Sequence, residues 1–66
     1  MSYQKSHSTA DEIAFIDRCW QSWRAAHGDT GARLKMRELL GQTRCRVFDR
    51  NIDRDKVIAA ISDYAS

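Results

Sequence analysis

Residues 9–28 read TADEIAFIDRCWQSWRAAHG, and this stretch decides the fold of the chain. Thr9 and Glu12 have the spacing of a capping box, in which two side chains satisfy free N–H groups at a helix start. Gly28 favours a helix end, because glycine adopts the left-handed conformation at low cost. Between them, apolar residues recur at helical spacing on about half of the helix circumference. The pattern predicts a helix over residues 10–27 with an apolar face of Ile13, Phe15, Ile16, Cys19, Trp20, Trp23 and Ala26.

This aromatic face is large for a chain of 66 residues. An aromatic side chain buries about 150–250 Å² when it is fully covered, and a small domain has little other surface with which to cover it. We therefore expect a homodimer or partner interface along Ile13, Ile16, Trp20 and Trp23. The alternative is that the same stripe forms the core of the monomer, because core and interface stripes share one periodicity.

Two further segments follow this stretch. Asp29 or Thr30 can cap a helix over residues 30–40, with Gly41 just beyond its end. Residues 42–52 are ambiguous: residues 43–48 fit a strand imperfectly, and residues 44–52 fit a helix with one apolar face. A lone strand would have no pairing partner in this chain, so a helix is the preferred interpretation.

The last segment carries clear local signals. Asp53 is a suitable N-cap, and apolar residues at helical spacing then predict a helix over residues 54–64. Residues 1–8 are expected to form a flexible polar arm, and residues 9–66 a single domain. The predicted fold is all-α, a small bundle of about four helices over residues 10–27, 30–40, 44–52 and 54–64.

Composition argues against several classes of function. Hydrophobic residues make up 42% and charged residues 30%, the balance of a folded protein in water. No stretch approaches the roughly 20 apolar residues that span a bilayer, and residues 1–9 have no apolar signal core. The two cysteines, Cys19 and Cys45, match no zinc pattern, and no glycine-rich phosphate loop or acid–base pair is evident. We expect a cytoplasmic protein with no enzymatic activity, metal or cofactor.

The charge is unevenly spread along the chain. Net charge is +2 overall, but residues 33–56 carry eight cations against four carboxylates, whereas residues 1–32 have a net charge of −1. Such an excess can create a local positive potential on a nearly neutral molecule. A solvated helical surface would have the same composition.

The segment MRELLGQTRCRVFDRNI, residues 36–52, resembles a compact helix-turn-helix. Leu39, Leu40 and Gly41 would end the first helix, Thr43 would cap the second, and Val47 with Phe48 would anchor it. The resemblance implies a helix-turn-helix-like centre and a transcription regulator that binds duplex DNA. Arg44, Arg46 and Arg50 would then lie on the outer side of the recognition helix. The phosphate contacts would come from Lys35, Arg37, Arg54 and Lys56.

A second function fits the same composition. Small helical inhibitors and anti-activators of the phage or plasmid type engage a host protein through aromatic and arginine side chains. Trp20 and Trp23 would be anchors in such a protein, and the arginines would meet acidic groups of the partner. The two functions separate on residues 44–52, since DNA binding requires a helix there with its guanidinium groups turned outward.

Overall fold

The computed structural model of the chain describes residues 8–66, which form two helices. Helix α1 runs over Thr9–Cys45 and helix α2 over Arg54–Ala65, and no strand occurs within the described residues. The all-α class is therefore confirmed, and the prediction of a bundle of about four helices is wrong. Apart from Ser8, the polar arm predicted for residues 1–8 lies outside the described part of the chain.

The start of α1 lies one residue before the predicted cap. Ser8 is the N-cap: its Oγ accepts from the backbone N–H of Asp11, 3.2 Å away, and the Asp11 carboxylate accepts from the Ser8 backbone N–H at 3.0 Å. This is a capping box with aspartate in the third position. Glu12, predicted for that role, is instead buried and faces the far end of α1.

Helix α1 is bent back on itself at Gly28, where the backbone leaves helical geometry with φ 78° and ψ 175°. A straight helix of 37 residues would be about 55 Å long at 1.5 Å per residue, whereas the longest dimension of the described chain is 38 Å. The ion pair between Glu12 and Arg46 joins the two ends of α1. Residues 9–27, the first arm, and residues 29–45, the second arm, therefore form an antiparallel hairpin.

The predicted helix over residues 44–52 is absent. The second arm continues through Gly41, whose φ is not positive, and ends at Cys45. Arg46 then adopts an extended conformation, and the chain reaches α2 through a loop over residues 46–53 with a turn closed by the Ile52 N–H on the Asp49 carbonyl. Thr43, predicted as an N-cap, lies inside the helix with its side chain buried.

Helix α2 packs across the hairpin and completes the core. The Asp53 carboxylate caps it as predicted, accepting from the backbone N–H groups of Asp55 and Lys56. A further bond runs from the Asp53 N–H to the Thr9 hydroxyl, which ties the start of α2 to the start of α1. The buried core combines both arms and α2 and consists of Ile16, Met36, Val57, Ile61 and Ala65. Within residues 8–66, neither helix has the length and apolar character needed to cross a membrane.

Candidate interaction surface

The cations predicted to bind DNA are scattered by the fold. Lys35 turns toward the first arm, where its Nζ lies 5.9 Å from the centroid of the Trp23 ring. Arg46 donates from Nη1 to the Glu12 carboxylate at 3.1 Å, and its guanidinium lies 4.5 Å from the Phe48 ring centroid. Arg50 and Lys56 are exposed, in the connecting loop and on α2. Lys35 and Arg46 are thus engaged within the chain, at Trp23 and at Glu12.

Arg37, Arg44 and Arg54 do come together, with Arg33 as a fourth member that the sequence pattern did not indicate. Counted at 100° per residue, Arg33, Arg37 and Arg44 fall within about 40° on the second arm. Arg37 donates from Nε to the Ala65 carbonyl at 3.1 Å, and Arg33 from Nη1 to the main-chain oxygen of Ser66 at 3.1 Å. All therefore lie along the contact between the second arm and α2. We call Arg33, Arg37, Arg44 and Arg54 the arginine seam.

The seam follows from unsatisfied carbonyl groups at two helix ends. The last carbonyls of a helix have no partner within it and carry a partial negative charge, which favours a cation. Arg33 and Arg37 meet this need at the end of α2. Arg54 meets it at the end of α1, where its guanidinium donates to the Arg44 carbonyl. Because the carbonyls at each helix end need a donor, a guanidinium lies at each end of the seam.

The seam retains its positive charge. Within residues 8–66 the side-chain ion pairs are Arg46 with Glu12 and Arg24 with Asp29, the latter at 2.6 Å, so no seam arginine is paired with a side-chain carboxylate. Arg37 and Arg54 donate to peptide carbonyls, which are neutral and leave the charge of each guanidinium in place.

A shallow recess of about 390 Å³ lies at the Gly28 end of the seam. Two cations, a carboxylate, a hydroxyl and an exposed leucine meet in it, and the Leu34 side chain is 54% exposed. Such a mixture of apolar, donor and acceptor groups is typical of protein interfaces. The residues that line the recess are Asp29, Thr30, Arg33, Leu34 and Arg37.

Two more large apolar side chains are exposed elsewhere. Val47, expected to anchor a recognition helix from behind, is 93% exposed in the loop that follows α1. Phe15 is 49% exposed on the first arm. Phe48, the other expected anchor, is partly buried against the core. The loop therefore exposes Val47 to solvent and packs Phe48 against the core, whereas the helix-turn-helix resemblance required both side chains to pack.

The aromatic ridge of the first arm packs against the chain itself. Ile16 is 1% exposed and belongs to the core, and Ile13 is partly buried. Trp20 stacks on Tyr64 of α2, with ring centroids 4.8 Å apart and planes inclined by 20°. Trp23 is partly buried and packs against the same core. This arrangement agrees with the monomer-core alternative for the stripe.

Tyr64 is held by a polar contact at the same place. Its hydroxyl donates to the Asp17 carboxylate across the contact between α2 and the first arm. That hydrogen bond raises the pKa of Tyr64, and burial and the charges of Asp17 and Asp63 act in the same direction. The neutral phenol is thus the form that the fold stabilises.

The two cysteines lie in different environments. Cys19 is partly buried on the first arm, and burial raises the pKa of its thiol, against an opposing effect of the Arg18 charge. Cys45 is exposed at the end of α1. Among the residues that the structure describes, no three His, Cys, Asp or Glu side chains are grouped so that they could hold a metal ion.

The comparisons with known proteins give no relative for this chain. No protein-family model, no curated protein and no solved structure matches it. By its own geometry, the chain is a helical hairpin closed by a third helical segment, α2. The surface that stands out on it is the arginine seam with its recess.

Proposed function

We propose that this chain is a small helical protein-binding module that engages its partner through the arginine seam and the recess beside Leu34. The observation that supports it is the composition of the recess, where an exposed leucine lies between Arg33 and Arg37. Arginine is enriched in protein interfaces and among the residues that carry most of the binding energy, and an exposed leucine gains free energy when an apolar group covers it. The host-protein inhibitor considered from the sequence belongs to this class.

A protein fits this recess better than a phosphate backbone does. Asp29 contributes a carboxylate to it, which is already paired with Arg24 and can accept a further hydrogen bond from a donor group of a protein partner. Leu34 would gain little against a phosphate backbone and can be covered by an apolar side chain. The loop over residues 46–53 is not a helix, so the groove-reading element implied by the helix-turn-helix resemblance is missing.

Capture of the partner tests the proposal. The purified chain, immobilised through its N-terminus, is incubated with nuclease-treated lysate of its source cells, and retained proteins are identified by mass spectrometry. We expect one retained protein to be lost with Leu34→Ser. The matched control is Phe15→Ser, which changes a similarly exposed apolar side chain away from the seam. Retention that disappears on nuclease treatment, or that both variants lower equally, would contradict the proposal.

DNA binding is the second candidate, and the unpaired charge of the seam favours it. Four guanidinium groups that have no side-chain carboxylate partner within residues 8–66 can contact phosphates. Binding to duplex DNA through these groups should weaken steeply with salt, with a slope set by the number of phosphates contacted. Fluorescence anisotropy with a duplex at about 50 and 200 mM salt measures that slope. A slope of about −3 to −4 would fit the seam, and one near zero would remove this candidate.

Assembly and location complete the proposal. The homodimer expected along the Ile13–Trp23 ridge would have to use the exposed parts of Trp20 and Trp23, since Ile16 lies in the core. Sedimentation at high concentration tests it, and a monomer mass would remove it. We place the protein in the cytoplasm, as the sequence composition suggests.

A further inference from the structure

We infer that the arginine seam binds an acidic, extended segment of the partner, with carboxylates on the guanidinium groups and an aliphatic side chain on Leu34. This inference rests on the proposed function and adds the chemistry of the partner to it. Charge complementarity is its first support, because no side-chain carboxylate within residues 8–66 pairs with the four seam arginines.

The donors of Arg33 and Arg37 are already oriented and only partly used. A guanidinium has five N–H donors. Within the described residues Arg37 uses its Nε on the Ala65 carbonyl and Arg33 one Nη1 donor on Ser66, so each retains further donors. Because these contacts hold the side chains along α2, an incoming carboxylate finds them with less entropy to lose. Two-point bonding to a carboxylate is the geometry that guanidinium favours.

The spacing of the seam matches a short extended chain. At 1.5 Å per residue, Arg33 and Arg37 are separated by about 6 Å along the helix, and Arg33 and Arg44 by about 16 Å. An extended strand advances about 3.3 Å per residue, so side chains two residues apart on one side are about 6.6 Å apart. A segment of five or six residues with alternate carboxylates therefore spans the seam.

The position of Leu34 at one end of the seam sets the direction in which the segment binds. Leu34 lies beside Arg33 and Arg37 in the recess at one end of the seam, while Arg44 and Arg54 lie at the other. Asp29 and Thr30 border the recess and can meet backbone N–H or hydroxyl groups of the segment. An aliphatic residue next to the run of carboxylates would cover Leu34 and leave the cations for the acidic groups.

Fluorescence anisotropy with defined peptides tests the inference on the full chain. The probe is a fluorescein-labelled ten-residue peptide with alternate glutamates and a leucine at each end, and its control replaces every glutamate by glutamine. We expect saturable binding of the glutamate peptide with a Kd below about 100 µM, and at least roughly tenfold weaker binding of the glutamine peptide.

Arg44→Gln is the variant of choice, because the Arg44 side chain has no hydrogen bond or ion pair within the described residues, so its loss removes no contact of the fold. It should weaken binding of the glutamate peptide roughly three- to tenfold. Arg18→Gln, a matched loss of one exposed cation on the first arm, should change it less than about twofold. Circular dichroism confirms that both variants are folded.

Three results would overturn the inference: equal binding of the two peptides, equal effects of the two variants, or tighter binding of a random duplex DNA than of the glutamate peptide at about 150 mM salt. If the glutamate peptide fails while Leu34→Ser still abolishes capture of a partner protein, the acidic-segment inference is wrong and the proposed function stands. If that capture fails as well, the proposed function itself is wrong.

Discussion

Replacing Gly28 by alanine tests the bend on which the whole fold depends. Gly28 has φ 78° and ψ 175°, a conformation that is essentially restricted to glycine. No atom lies within 4 Å of the position that an added Cβ would take, so the cost is in the backbone and not in a clash. We expect Gly28→Ala to lower the free energy of unfolding by about 1–3 kcal/mol.

That loss is large for this chain. At roughly 0.05–0.15 kcal/mol per residue, a domain of this size has a total stability of about 3–10 kcal/mol. A loss of about 2 kcal/mol would lower Tm by roughly 8–16 °C. Gly28→Ala also favours a helical backbone at the one position inside α1 that departs from it, so a straightened form about 55 Å long is the competing state.

The two other glycines are internal controls, because each sits in the second arm with helical backbone. Gly41 has open space where an added Cβ would lie, so Gly41→Ala should stabilise the chain by roughly 0.5–1 kcal/mol through helix propensity. At Gly31 an added Cβ would lie 2.6 Å from the His27 Cβ, so Gly31→Ala must displace the first arm and destabilise the hairpin.

Urea unfolding followed by tryptophan fluorescence and circular dichroism measures all three free energies. Small-angle scattering then distinguishes strain from straightening, because a variant that stays bent keeps the radius of gyration of the wild type. If Gly28→Ala is as stable as wild type and equally compact, the bend does not require a left-handed residue and the reasoning is refuted. A destabilising Gly41→Ala would show that the second arm ends before residue 41.

Three further predictions concern the contacts that hold the hairpin and α2 together. Tyr64 has a raised pKa in the folded chain, so the stability from its bond to Asp17 is present below the unfolded pKa near 10 and is lost as pH rises through the folded pKa. In urea titrations from about pH 8 to 11, the free energy of unfolding should therefore fall more steeply with pH for wild type than for Tyr64→Phe. Parallel curves for the two proteins would argue against this contribution. Glu12→Gln should lower the free energy of unfolding by only about 0.5–1 kcal/mol in the same assay, because the Arg46 partner is half exposed and solvent screens the pair. No change at low salt would mean that the pair does not fix the loop. Met36→Ala should lower the free energy of unfolding by about 2–5 kcal/mol in the same assay, because the side chain is fully buried. A near-neutral result would place Met36 outside the core.

The elements that sequence predicts well here are those whose signals are local. The pattern predicts the last helix over residues 54–64, and the helix runs over Arg54–Ala65, because the Asp53 cap and the apolar period lie next to each other in the chain. Gly28 favours a helix end, and the backbone does leave helical geometry there. In both places the deciding interaction is made by residues that are neighbours in the chain.

The errors lie where distant residues decide. Gly41 resembles a helix stop, but a glycine stops a helix only if it turns left-handed, and continuing the second arm buries the Thr43 side chain to 2% exposure. The sequence pattern predicts that Arg46 faces a ligand, but in the structure its guanidinium binds the carboxylate of Glu12, 34 positions earlier in the chain. Neither packing partner is visible in a window of local sequence, so the local pattern predicts a helix over residues 44–52 that does not form.

The seam could have been found only in part for a similar reason. The spacing of Arg33, Arg37 and Arg44 at i, i+4 and i+11 places them on one helix side, and this is readable once the second arm is known to continue past Gly41. What the sequence does not contain is the position of α2 beside that row. Without it, the same arginines look like solvated charges, and the predicted site spreads over other cations as well, namely Lys35, Arg46, Arg50 and Lys56.

Members of the seam differ in what they contribute to the fold, and this decides which of them can report on binding. Arg33 and Arg37 each hold the end of α2 through a main-chain oxygen, so removing either exposes an unsatisfied carbonyl and loosens the helix that completes the core. A loss of binding in those variants would therefore mix two causes. Arg44 contributes only its backbone carbonyl to the contact with Arg54, and within the described residues its guanidinium is not used by the fold. The chain secures the end of α2 with Arg33 and Arg37 and leaves the Arg44 guanidinium unattached at the other end of the seam, so helix capping alone does not account for the whole positive surface.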